Sequence, residues 1–161
     1  MSETIASDLD IALQKKYHQD LVFNYSEYPT KDHWRSDFLG DQFKSAILDW
    51  FPKNTDEKIF FYVHIPFCEE LCYFCTCSKA ITSDYSRVSE YLEHLYLEID
   101  LLFKFLEENQ IELNVGTVFF GGGSPTILSR ADLEVLVTKL RGLFDWSSVE
   151  FFTIESDPRR V

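Results

Sequence analysis

Apolar residues follow different rules on either side of residue 57. Over residues 1 to 57 they predict two short helices, one around Leu9 to Tyr17 and one around Asp41 to Phe51. The second puts Phe43, Ile47, Trp50 and Phe51 on a common face. Between them lies FNYSEYPTKDHW (Phe23 to Trp34), where Pro29 breaks any helix. From Lys58 an α/β rhythm takes over. KIFFYVHI (Lys58 to Ile65) is apolar at even and odd positions alike, which predicts a strand buried on both faces. Val88, Leu92, Leu95, Ile99, Leu102 and Leu106, three or four apart, predict a long helix from about Tyr85 to Glu107. A second strand, Val115 to Phe120, runs into Gly121-Gly122-Gly123-Ser124-Pro125. Ser129 then caps a helix, with the acid Asp132 three residues on, and Leu133, Leu136, Val137, Leu140 and Phe144 form its buried side. A third strand spans Glu150 to Ser156.

Strand, helix, strand, helix, strand is the order of consecutive βαβ units, so the fold class is α/β with a parallel sheet covered by helices. The expected division is an accessory segment over 1–57 and the α/β part over 58–161. Three strands are half of a doubly wound sheet or less than half of a barrel. An ending at Val161, just after a strand, suggests a fragment of a longer enzyme. In parallel α/β folds ligands bind beyond the carboxyl ends of the strands. Here the first strand ends in a cysteine-rich loop, the second in GGGSP and the third in Glu155. Three peculiarities on one edge of one sheet mark that edge as the candidate site.

Charge narrows the function classes. A formal net charge of −12 argues against a nucleic-acid or anionic-membrane binder, which needs a basic face. No run of apolar residues is long enough for a membrane span, and the acidic start MSETIASDLD does not resemble a signal or transit peptide. A cytoplasmic location is expected.

All four cysteines, Cys68, Cys72, Cys75 and Cys77, fall within FCEELCYFCTC. Disulfide staples would be spread along the chain to close long loops, so thiols this dense read as ligands for a metal or cluster. The Cx3Cx2C spacing suits three thiolates wrapping one iron–sulfur cubane from a compact loop. Zinc, which normally draws on two separated pairs, and plain buried thiols are the alternatives.

YVHIPFCEELCYFCTCSK (Tyr62 to Lys79), FFGGGSPT (Phe119 to Thr126) and IESDPR (Ile154 to Arg159) resemble the radical S-adenosylmethionine superfamily. Within it, the chain is similar to the oxygen-independent coproporphyrinogen III oxidases of haem biosynthesis, whose leader segment SEYPT (Ser26 to Thr30) also resembles. The resemblance implies a partial (β/α) barrel truncated after the third strand, with a helical N-terminal extension. It implies a 4Fe–4S cluster on Cys68, Cys72 and Cys75, with S-adenosylmethionine on the remaining iron. Cys77 corresponds to an extra, non-ligating cysteine. Tyr62, Phe74, Gly122, Gly123, Ser124 and Glu155 correspond to positions that contact S-adenosylmethionine. The implied reaction uses a 5′-deoxyadenosyl radical to remove hydrogen from a propionate side chain, which loses carbon dioxide and becomes a vinyl group. Coproporphyrinogen III thereby becomes protoporphyrinogen IX, with an electron donor such as flavodoxin or ferredoxin.

Other residues have plainer readings. His64 is as compatible with a hydrogen-bonded core position as with a site role. His18, His33 and His94 read as surface or packing residues. The aromatics of Phe23 to Trp34 are expected to pack on the sheet, with gating of a porphyrin site the alternative. Arg159 and Arg160 read as a solvated chain end, with pairing to substrate carboxylates the alternative. The glycine run is neither a Rossmann nor a P-loop fingerprint, because GxGxxG and a following Gly-Lys are both missing. Two positions depart from the family pattern: Asn24 stands where an arginine is usual before the tyrosine pair, and Arg160 where an acid is common. The expectation for the 161 residues by themselves is cluster binding without efficient turnover. A haem-binding or haem-delivery protein on the same scaffold and a zinc-stabilised interaction module are the rival functions.

Overall fold

In the computed structural model, residue 33 and residues 35–73, 75 and 79–159 are described. The helix expected around Leu9 to Tyr17 and the Phe23–Trp34 stretch apart from His33 lie outside them, as do His18, Phe74, Cys77 and Arg160. Backbone contacts divide the chain into two units, Met1–Ser45 and Ala46–Val161. Helix α1 (Gly40–Trp50) crosses that division and has no buried residue; Phe43 and Trp50 are exposed, while Ile47 is half-buried.

The second unit follows the βαβαβ order. Strand β1 (Ile59–Ile65) leads to two short strands, β2 (Phe67–Cys68) and β3 (Ala80–Ile81), that pair in parallel on either side of the cysteine loop. Helix α2 (Tyr85–Glu108) crosses over to strand β4 (Val115–Gly122). Helix α3 (Arg130–Leu140) then leads to strand β5 (Phe151–Ile154). The sheet order is β1-β4-β5 and both pairings are parallel. Lys58, just before β1, forms an ion pair with Glu150, just before β5.

Helical spacing explains what holds the layers together. Val88, Leu92, Ile99 and Leu106 of α2 are buried, as are Leu136 and Leu140 of α3. They pack with Val63, Ile65, Val115, Val118 and Phe120 in one core. Helix α2 stops where Gln110 takes a left-handed φ of 54° and the Ile111 N–H returns to the Leu106 carbonyl at 3.0 Å. Capping ties the two helix starts together. Ser129 Oγ accepts from the Asp132 N–H at 3.1 Å and donates to Asp132 Oδ2 at 2.6 Å. The Tyr85 hydroxyl donates to Asp132 Oδ2 at 2.5 Å and accepts from the Ser129 N–H at 2.7 Å.

The expectation for β1 needs correction. Only its odd residues turn toward the helices; Val63 and Ile65 are buried, whereas Phe60 and Tyr62 are 59% and 47% exposed. Parallel register puts Phe119 beside Tyr62, and Phe151 beside Thr117, on that same open face. Apolar residues at every position describe a strand with two apolar faces, and among the described residues an element covers only one of them. The described residues include no helix long and apolar enough to cross a membrane.

Two measurements check the capping account. Ser129→Ala removes the α3 cap and is expected to cost about 1 kcal/mol in urea unfolding. Hydrogen bonds from Ser129 and then Tyr85 hold the Asp132 carboxyl below the usual range. A lowered folded-state pKa stabilises the fold above the unfolded pKa and is lost as pH falls through the folded one. Acidification through the carboxylate range is therefore expected to lower the urea midpoint less in Asp132→Asn than in the wild type.

Candidate functional site

The carboxyl ends of β1, β4 and β5 open onto one cavity of about 940 Å³. Its walls come from the three places the sequence marked: Cys68, Cys72 and Cys75; Gly122, Gly123 and Ser124; and Glu155. Backbone contacts force this convergence. β1 and β4 stay in register up to Ile65 beside Gly122. Beyond that pair the Gly123 N–H donates to the Ile65 carbonyl at 2.8 Å, and the Ser124 N–H to the Phe67 carbonyl at 2.8 Å. On the other side of the cysteine loop, the Ala80 and Thr82 N–H groups donate to the Pro66 and Cys68 carbonyls at 2.6 and 2.9 Å. The first cysteine is thus pinned next to the glycine turn by main-chain bonds alone.

Glycine is required there for two separate reasons. A Cβ on Gly123 would lie 2.5 Å from the Phe67 carbonyl oxygen and 2.8 Å from the Pro66 carbonyl carbon, both immobile backbone. Gly122 has φ +114°, and a Cβ on it would lie 2.5 Å from His64 Cε1. The turn also aims the Gly122 N–H at Glu155 Oε2, 3.1 Å away, while the Glu155 N–H donates to the Phe120 carbonyl at 2.9 Å. Glu155 is therefore fixed at both its backbone and its carboxylate.

Three thiols share the cavity wall without disulfide bonds; Cys68 and Cys75 are half-buried and Cys72 is exposed. The Cys75 N–H donates to the Cys72 carbonyl at 3.1 Å in a tight turn. Among the described residues, no three His, Cys, Asp or Glu side chains converge as the site of a single ion. Three thiols lining one cavity are the donor type that iron–sulfur clusters take.

Tyr62 is not part of the cavity wall. It stands on the adjoining open sheet face, where a Cβ on Gly121 would meet Tyr62, Phe119 and Glu155. Its hydroxyl and His64 Nδ1 are 2.9 Å apart. His64 is half-buried, and its main-chain carbonyl accepts from the Tyr91 hydroxyl at 2.6 Å. Burial, ahead of nearby charges, pushes the Tyr91 phenol above its ordinary range. His33 and His94 are exposed. Phe74 lies outside the described residues.

Arg159 is exposed, as a solvated chain end would be, and it is also paired. Its Nε and Nη2 donate to Asp157 Oδ1 and Oδ2 at 2.9 and 2.6 Å, while Nη1 lies 3.4 Å from Glu70 Oε2 and Nη2 3.7 Å from Cys72 Sγ. The Asp157 carboxylate, first by hydrogen bonding and then by charge, holds the guanidinium above its ordinary range. The signal was present in the sequence as acids on both sides of the gap, Glu69 and Glu70 in one loop and Asp157 in the other. It needed the fold to bring them together.

No family model matches the chain. It is 35% identical over 158 residues to the oxygen-independent coproporphyrinogen III oxidase of Mannheimia haemolytica, covering 98% of this chain and 100% of that sequence. It is 34% identical over 154 residues to the protein of that name from Salmonella typhimurium, covering 96% of this chain but 32% of that protein. Against the Pseudomonas aeruginosa protein of the same name it is 36% identical over 165 residues, covering 100% of this chain and 34% of that protein. The chain therefore spans about a third of the length of the Salmonella and Pseudomonas relatives. Among solved structures it is similar to the Escherichia coli coproporphyrinogen III oxidase, described as a radical SAM enzyme. The TM-score is 0.70 at 32% identity, over 99% of this chain and 32% of that one.

Backbone crowding at the turn yields a measurable contrast. Gly123→Ala is expected to destabilise the chain by about 1–3 kcal/mol, since main-chain atoms cannot give way. Gly121→Ala meets only side chains; it is expected to cost less in the same thermal or urea unfolding assay.

Proposed function

The chain belongs to the oxygen-independent coproporphyrinogen III oxidase family, and from that premise we propose that it carries the cluster-binding and S-adenosylmethionine-binding part of a radical SAM coproporphyrinogen dehydrogenase. The reaction class is the oxidative decarboxylation of coproporphyrinogen III to protoporphyrinogen IX in oxygen-independent haem biosynthesis, with a flavodoxin- or ferredoxin-type electron donor. The observation that carries this reading is the meeting of three thiols, the glycine turn and Glu155 on one cavity. In it, Cys68, Cys72 and Cys75 hold a 4Fe–4S cluster. Tyr62, Phe74, Gly122, Gly123, Ser124 and Glu155 bind S-adenosylmethionine. The three-stranded parallel sheet is the first part of a (β/α) barrel, with residues 1–57 as its accessory segment.

When bound, the cluster and S-adenosylmethionine supply the one-electron radical chemistry that removes hydrogen from a propionate side chain. The protein's residues bind and orient. Glycines without side chains let the backbone at Gly122 and Gly123 come close to the ligand. The Glu155 carboxylate, held in place by the Gly122 N–H, offers its remaining lone pairs to hydroxyl or ammonium donors. Ser124 Oγ, 3.3 Å from Thr126 Oγ1, adds a polar group on the same wall. The chain spans about a third of the length of its Salmonella relative, so the reading concerns the part of the reaction machinery that these residues carry.

Anaerobic reconstitution tests the reading. Wild-type protein is expected to take up about four irons and four sulfides per chain and to turn brown. Replacing Cys68, Cys72 or Cys75 by Ala abolishes this. Glu155→Gln leaves the cluster in place and weakens S-adenosylmethionine binding by roughly tenfold in calorimetry, the scale of one charge-assisted hydrogen bond. Wild-type protein without iron or sulfide overturns the proposal.

A further inference from the structure

Beyond β5 the chain runs Glu155, Ser156, Asp157, Pro158, Arg159. Asp157 grips the guanidinium with both carboxylate oxygens, and its first oxygen also accepts from the Arg159 backbone N–H at 3.0 Å. This planar, two-pronged contact orients the cation, which a lysine could not match. The Asp157 side chain is only 20% exposed, against 55% for Arg159, so the acid anchors and the cation reaches outward.

The other edge of the guanidinium meets the cysteine loop, at Glu70 Oε2 and Cys72 Sγ. An exposed ion pair such as Arg159 with Glu70 contributes little to stability by itself. The contact with sulfur has a different consequence. A ligating cysteine is a thiolate, and an N–H donor with a full positive charge stabilises negative charge on that sulfur. One-electron reduction of a cluster adds negative charge that spreads onto its thiolates. Hydrogen bonds to those sulfurs and the local charge set the potential at which the electron enters.

We propose that Arg159 is a positioning residue that sets the reduction potential of a cluster held by Cys72, using Asp157 as its anchor. The inference rests on the reading of Cys72 as a cluster ligand. It gives the third strand's exit a task that reaches the cysteine loop directly: the cation raises the cluster's affinity for an electron, and no proton or bond changes hands.

The test is a reductive titration with dithionite, without S-adenosylmethionine, on the full 161-residue chain reconstituted anaerobically. The reduced cluster is read by electron paramagnetic resonance. Arg159→Gln is expected to keep wild-type iron and sulfide and to shift the midpoint to lower potential, with Arg159→Lys between the two. An Arg159→Gln midpoint equal to that of the wild type overturns the proposal. If Arg159→Gln loses its cluster, Arg159→Lys is titrated instead, because it keeps the charge and removes only the planar, two-pronged contact with Asp157. A lowered midpoint there supports the proposal, and an unchanged one overturns it. Wild-type protein with no iron or sulfide overturns the underlying reading of the thiols and the inference with it. A wild-type cluster insensitive to these substitutions overturns the role of Arg159 alone.

Discussion

The approach of the Gly123 backbone to the Phe67 carbonyl is the constraint on which the site depends. Strands β1 and β4 could pair along their lengths and still diverge at their ends. Here the main chain stays bonded past the last paired residues, Ile65 and Gly122, through Gly123 and Ser124. Any side chain at Gly123 would push against peptide atoms. The absence of one carbon atom therefore keeps Cys68 beside the turn that also fixes Glu155. Main-chain bonds of this kind hold a site at fixed spacing without using the side chains that face the ligand.

A second layer of order lies behind this edge. Tyr91 reaches from the second turn of α2 to the His64 carbonyl, and Tyr85 reaches from its start to Ser129 and Asp132. Tyr91 is half-buried and Tyr85 exposed, and each places a hydroxyl at a defined distance. Helix α2 is thereby fastened to β1 and to α3 at separate points. In sequence, the cysteine loop lies between β2 and β3.

Much of this was legible in the sequence because its causes are local. Three-and-four spacing along Val88 to Leu106 is a property of the helix itself, and Ser129 with Asp132 forms a cap wherever a helix begins. The clustering of cysteines, glycines and Glu155 at strand ends followed from the rule that parallel strands end on one edge. What was not legible depends on distant neighbours. Phe60 and Tyr62 are as apolar as Val63 and Ile65, so residue type alone could not tell the covered face of β1 from the open one. The role of Arg159 requires Asp157, Glu70 and Cys72 together, and two of those lie in a different loop. The short β2–β3 pair escaped notice because two-residue strands have no period to detect.

Among the described residues, the open face of the sheet carries Phe60, Tyr62 and Phe151, each substantially exposed. Aromatic walls of this kind adhere to one another, and mutual repulsion from a net charge of −12 opposes that adhesion at neutral pH. The repulsion fades toward the isoelectric point near 4.6. Solubility is therefore lowest in mildly acid buffer, where the same aromatic surface is no longer kept apart by charge.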